Sequence, residues 1–206
     1  MSAFLGKIHY WLYNKIQLHE DILDEIIGSA GQKNIPVEEL KEEASEKFGS
    51  PERSQLEDVI NHGNIHGWLQ SRIQSVENRT AWIVTGMLKD QNMKLQELSH
   101  IYRVSGRNAM TAIGNGDYSP MELYVMIFDN MLEGMPCDRV NEPAAESEDE
   151  FSWNTTRCLH MECWDNAGGD VSNFYTLRDA WIEGFIGDKN TYARTGAGLN
   201  TLRRNR

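Results

Sequence analysis

Long apolar runs are missing from this chain. None approaches the ~18 residues that cross a bilayer, and the N-terminal stretch MSAFLGKIHYW lacks the uninterrupted apolar core of a signal peptide. A cytoplasmic protein with no membrane partner is expected. Cysteine is scarce: three in 206 residues, an odd number without an export signal, fit reduced thiols better than a disulfide framework. Basic residues are outnumbered, 20 against 31 acidic ones, and the formal charge of -11 argues against general nucleic-acid binding, because phosphate attraction needs a basic face. Metal signatures are absent as well: no HExxH glutamate accompanies His62 and His66, and the cysteines show neither paired zinc spacing nor a tight iron–sulfur run. What is left is an ordinary globular composition, 40% hydrophobic and 25% charged, long enough for one large domain or two small ones.

What is present is an internal echo. Ile8 to Ile27 reads IHYWLYNKIQLHEDILDEII and Ile65 to Val84 reads IHGWLQSRIQSVENRTAWIV. At an offset of 57 residues Ile8, His9, Trp11, Leu12, Ile16, Gln17 and Glu20 recur as Ile65, His66, Trp68, Leu69, Ile73, Gln74 and Glu77. One residue out of register, Asn34 to Leu40 is mirrored by Asn92 to Leu98. This reads as a duplicated helical unit, 8–61 and 65–118. Apolar residues at three- and four-residue steps make each long stretch a helix with one stripe to bury, and two copies about a pseudo-twofold axis bury both. His9 and His66 then occupy equivalent places as polar groups in or near the core.

Along the chain, Gly28 to Gly31 should end the first helix, and Val37 to Phe48 should form a second with a solvated acidic face. Ser50 before Pro51 marks a further helix start. His62-Gly63-Asn64-Ile65-His66 suits a turn or helix start with exposed histidines. Pro120 to Leu132 is a helix with Leu123, Met126, Ile127 and Met131 on its buried side. Gly134 to Arg139 ends it, and Cys137 and Arg139 suit a loop bordering a pocket. Asn141 to Glu150, NEPAAESEDE, reads as a solvated linker. Val171 to Ile186 is a closing helix, and residues 187–206 are polar, glycine-rich and read as a loose tail.

Between Leu88 and Leu132 stand Leu98-Ser99, Val104-Ser105, then Ile113-Gly114-Asn115-Gly116 and Pro120, followed by Leu123, Ile127 and Leu132. In these residues the stretch resembles the lambda-repressor-like helix-turn-helix family over about a quarter of the chain. The resemblance implies a second helix opening at Leu98, a turn at Val104-Ser105, and a recognition helix presenting Arg107, Asn108 and Thr111 to a major groove, in a dimer that reads paired half-sites.

The densest chemistry follows. Phe151, Trp153, Thr155 and Thr156 favour an extended stretch, which delivers Arg157-Cys158-Leu159-His160-Met161-Glu162-Cys163-Trp164-Asp165. In an extended chain Cys158 and His160 share a side; in a helix His160 and Cys163 are neighbours at i and i+3. Either arrangement brings a base near a sulfur. Arg157 could lower a thiol pKa or hold a substrate carboxylate. As metal ligands, Cys158, His160 and Cys163 form the competing set; as packing, the cysteines are small buried hydrophobes.

Taken together, the sequence predicts a mainly α-helical bundle, one domain over 1–186 built on the duplication, with a Cys/His segment at 151–186. The favoured function is a small-molecule enzyme or ligand-binding protein. Cys158 is its nucleophile, His160 its base and Arg157 its anion anchor, and His9, His66, Cys137, Arg139 and Trp164 line the pocket. A helix-turn-helix regulator and a helical interaction module are the alternatives. No cofactor is specified, and a homodimer is compatible with either.

Overall fold

The computed structural model describes residues 5–89, 93–114, 116–196 and 198–205. Asn92 of the second echo, Asn115 of the glycine turn and Arg206 lie outside the described residues. Eight helices and four strands are found among the described residues, so the chain is mainly helical with one small sheet. It divides into two compact units, the first formed by residues 1–93 with 160–171, the second by 94–159 with 172–206.

In the first unit α1 (Lys7–Gln32) buries Leu12, Ile16, Ile22, Leu23 and Ile26. Its start is held by His9, whose Nδ1 accepts the Gly6 N–H at 2.9 Å, the reciprocal arm of a capping box. The helix runs past Gly28 and Gly31 and stops only where Asn34 takes φ 56°. A helical glycine costs about 1 kcal/mol, less than the burial of Ile26 and Ala30, both fully covered, returns. The helix α2 (Glu38–Phe48) presents the expected acidic face and packs on α4 (Ile65–Lys89) where Gly86 leaves room for Leu40. No helix starts at Pro51. That segment is laid along α1 instead, the Tyr13 hydroxyl donating to the Ser54 carbonyl at 2.8 Å and Gln17 Nε2 to that of Glu52 at 2.9 Å. A short α3 (Leu56–Val59) follows.

The two echoing stretches are thus α1 and α4. The His9 and His66 rings lie 5.7 Å apart, Tyr13 meets the Trp68 ring at 5.9 Å, and Glu20 pairs with Arg79. These contacts advance together along both helices, so α1 and α4 run parallel and nearly in register. The Glu20–Arg79 pair is buried, with side chains 4% and 5% exposed, and Arg79 Nε also donates to the Ser75 hydroxyl at 3.4 Å.

The second unit holds α5 (Leu95–Ile113), α6 (Pro120–Asn130), β1 (Asn141–Glu146), β2 (Glu150–Thr155), α8 (Val171–Ile186, from Ser172), β3 (Asn190–Arg194) and β4 (Leu199–Arg204). The helix α7 (Met161–Asn166) belongs to the first unit. The turn expected at Val104-Ser105 is absent, because Leu95–Ile113 is one uninterrupted helix. Gly106 is buried inside it. A Cβ there would fall within 3.0 Å of the Trp181 carbonyl oxygen, and one on Gly184 would do the same at the Arg103 carbonyl. At these glycines α5 and α8 touch backbone to backbone.

Two stretches expected to be unstructured are strands. Residues 141–150 form β1 and the turn into β2; β1 is the exposed edge of the sheet, so its acidic side chains stay solvated while its backbone pairs. Pro143 stands at its irregularity, where a missing N–H is tolerated. The tail becomes β3 and β4, in the order β1-β2-β4-β3, all neighbours antiparallel. On β4 Asn200 and Leu202 point into the core at period two. Leu202 stands opposite Phe151, and Asn200 stands opposite Trp153 and accepts the Tyr192 hydroxyl at 2.7 Å. The helix α6, capped by Ser119, covers β2 through Tyr124, whose ring lies 4.6 Å from Phe151 and 5.0 Å from Trp153.

Candidate thiol and imidazole site

The segment 157–165 resolves the choice between extended and helical geometry. His160 has φ -96° and ψ -16° and is the N-cap of α7, and the Trp164 N–H reaches the His160 carbonyl at 3.3 Å. Cys163 is therefore the third helical residue. The imidazole and this thiol therefore stand on one helical turn, three residues apart in sequence. Beyond the helix the chain turns at Gly168, which takes φ 62°. Gly169 then closes on α4, where a Cβ would press on the Thr85 hydroxyl and stand 3.2 Å from the Trp164 ring. Trp164, only 2% exposed, is the packing wedge of this contact.

The partner of the imidazole comes from α4. His160 Nδ1 lies 3.0 Å from Glu77 Oε1, with the two side chains 2% and 15% exposed. At this distance the carboxylate and the imidazole attract when the imidazole carries a proton. Glu77 on α4, His160 at the cap of α7 and Cys163, itself 9% exposed, three residues on, all belong to the first unit.

Other residues singled out in the sequence are placed elsewhere. Cys158 belongs to the second unit, half-buried, and the group bonded to it there is the Tyr175 hydroxyl, whose pKa is pushed up by burial and then by that bond. Arg157 is exposed and tied to Asp138 at 2.9 Å. Cys137 and Arg139 are exposed on the loop before β1, Arg139 with φ 48°. His9 and His66 do come together, His66 exposed and His9 engaged by the Gly6 amide.

Among the described residues no group of three or more His, Cys, Asp or Glu side chains is placed to hold a metal ion, so Cys158, His160 and Cys163 are not gathered as ligands. Arg107 and Asn108 are exposed on α5, and Arg107 and Thr111 line an open cleft of about 1040 Å³ in the second unit, together with Tyr118, Glu183 and Lys189.

Glu77, the carboxylate beside His160, was flagged by the sequence only as a repeat position. Its signal was its recurrence from Glu20, since a glutamate kept at one helical position in two apolar stripes faces inward. Arg178 and Glu133 went unremarked altogether. They form a second buried pair at 2.9 Å, below the Phe128 ring. No family model, curated protein or solved structure matches the chain.

Proposed function

We propose that this chain is a small-molecule enzyme working by thiol acid–base chemistry, with Cys163 as nucleophile, His160 as base and Glu77 as the group that orients it. The observation that carries the reading is the 3.0 Å approach of Glu77 Oε1 to His160 Nδ1, with the imidazole 2% exposed and a thiol on the same helical turn. A buried imidazole held by a carboxylate takes a proton from a nearby thiol, and the resulting ion pair is what activates thiol nucleophiles. The nucleophile moves from Cys158 to Cys163, five residues along the same segment.

The duplication gives this arrangement a rationale. If α1 and α4 are copies about a pseudo-twofold axis, the contact of Glu20 with Arg79 has as its mate a contact of Glu77 with Ile22, the counterpart of Arg79 in the first copy. Isoleucine offers a carboxylate nothing. The second glutamate is left to take a different partner, and His160 is that partner.

The test is a pH titration of thiolate absorbance in the ultraviolet. An unperturbed thiol ionises near pH ~8.5 and a histidine-paired one well below ~7. One of the three thiols should ionise in the lower range, and Cys163→Ser should remove that step, leaving those of Cys137 and Cys158. Three ordinary thiol titrations in the folded protein would overturn the reading.

A further inference from the structure

The open cleft of the second unit, about 1040 Å³, has the volume of a small-molecule site, which typically runs to ~300–1,000 Å³. One wall is α5, where Arg103, Arg107 and Thr111 follow at four-residue steps along one face. The other is the end of α8 and the turn into β3, which adds Asp188 and Lys189. The close backbone approach at Gly106 and Gly184 fixes one wall against the other. In a chain with 31 acidic residues against 20 basic ones, cations have carboxylates to meet, and two near the cleft do so: Arg103 is held by Glu183, and Arg204 reaches Asp117 at 3.5 Å. Arg107 and Lys189 differ. Both are exposed, and among the described residues neither side chain makes an ion pair or a hydrogen bond. The cleft therefore offers two uncompensated positive charges, one from each wall.

Two further features narrow the class of anion. Tyr118 lines the cleft with its ring held in place: its hydroxyl donates to the Gly114 carbonyl at 2.9 Å, and its own carbonyl accepts from Arg204 at 3.2 Å. A half-buried aromatic ring so fixed offers a face to a planar or apolar body. Asp188 makes no ion pair among the described residues either; its carboxylate repels an anion and accepts hydroxyl donors, so it sets which way round a ligand lies. A simple carboxylate would bring one charge to two cations and nothing to Asp188. A phosphate monoester brings about two negative charges near neutral pH and three acceptor oxygens, which suit the planar fork of a guanidinium and the point charge of an ammonium. We propose that this cleft binds a small phosphate monoester with free hydroxyls, a sugar phosphate or a nucleotide. Arg107 and Lys189 take its phosphate, Asp188 its hydroxyls and Tyr118 its organic body. The site lies wholly within the second unit and stands apart from the thiol reading, so either can fail alone.

The experiment is isothermal titration calorimetry of the full-length protein at low ionic strength, with adenosine 5′-monophosphate, ribose 5-phosphate, adenosine and inorganic phosphate as probes. At least one of the two esters is expected to bind saturably, with adenosine and inorganic phosphate each roughly tenfold or more weaker. Arg107→Gln and Lys189→Gln should each lower ester affinity about tenfold, the loss that goes with one charge-assisted hydrogen bond, and added salt should weaken binding further. Both side chains are exposed, so the variants keep the fold, which circular dichroism checks. Lys7→Gln removes an exposed charge from the first unit and should leave the affinity unchanged. A nucleotide bound more tightly than the sugar phosphate, with the difference lost in Tyr118→Leu, would identify the ligand as a nucleotide; equal affinities would identify it as a sugar phosphate. Absence of saturable binding of either ester at millimolar concentration would overturn the proposal. So would adenosine or inorganic phosphate binding as tightly as the esters, unchanged affinity in Arg107→Gln or Lys189→Gln, or an equal loss in Lys7→Gln. Tighter binding of duplex DNA than of either ester, lost in Arg107→Gln, would replace the small ligand with a nucleic acid.

Discussion

Replacing Gly106 or Gly184 with alanine should destabilise this protein, whereas the same change at Gly28 should stabilise it. All three glycines lie inside helices, so alanine offers each the same local gain of about 1 kcal/mol. The surroundings differ. A Cβ on Gly106 or on Gly184 would fall within 3.0 Å of a backbone carbonyl oxygen of the opposite helix, while one on Gly28 meets nothing within 4 Å. A carbonyl in a helix cannot rotate aside as a side chain can, so α5 and α8 must separate by ~1 Å, which forfeits a quarter to a half of the dispersion energy of each contact across the gap. Overpacking of this kind costs up to ~3 kcal/mol. Setting the ~1 kcal/mol propensity gain against it leaves a loss of roughly 2 kcal/mol, or ~4–8 °C in Tm for a chain of this size. Urea and thermal midpoints read by far-ultraviolet circular dichroism decide the matter. Gly106→Ala or Gly184→Ala at or above the wild-type midpoint would refute the backbone contact. A fall for Gly28→Ala would refute the claim that sign is set by surroundings alone.

Two further outcomes follow from named contacts. Glu20→Ala or Arg79→Ala alone should cost about 3–5 kcal/mol by stranding a buried charge, while a double replacement by apolar residues of similar volume should come close to wild-type stability; a double-mutant cycle in urea measures the difference, and additive single losses would show the pair to be solvated. Glu122 is held below the usual carboxylate range by the Ser119 backbone N–H and then its hydroxyl. Its folded pKa is depressed, so its contribution is complete above the unfolded value of about 4.3 and is lost as pH falls through the folded one. Glu122→Gln should flatten the stability profile below that pH and leave neutral behaviour nearly unchanged, as acid titration of the unfolding midpoint would show.

The helices were legible because their cause is local. Ile8 to Val84 carries a period near 3.6 in both echoes, and Ser119-Pro120 with Glu122 spells out the start of α6. The strands were not, because pairing partners and not composition decide them. NEPAAESEDE has the residues of a linker and becomes β1 because β2 offers it a ladder, and the polar tail becomes β4 because two facing residues, Asn200 and Leu202, fit between Trp153, Phe151 and Tyr192. At the site, the spacing of His160 and Cys163 was readable, while the choice between extended and helical backbone stayed open. The carboxylate was not. Glu77 lies 83 residues upstream of His160, and no local pattern names a partner at that distance. Gly106 has a cause of the same kind: a breaker by local propensity, it sits inside α5 because α8 uses the space its missing side chain leaves.

The strand order also sets a schedule. β4 is synthesised after both of its neighbours yet lies between them, so β2 leaves the ribosome with one ladder edge open. That edge carries Phe151 and Trp153, and it waits roughly 45 residues for its partner, ~2–9 s at about 5–20 residues per second. Hydrophobic strand edges are templates for wrong pairing, and in that interval the nascent second unit is exposed to it. The acidic stretch that forms β1 is already made. By covering one side of β2 with carboxylates that repel their own kind, it leaves a single edge to guard until the central strand arrives.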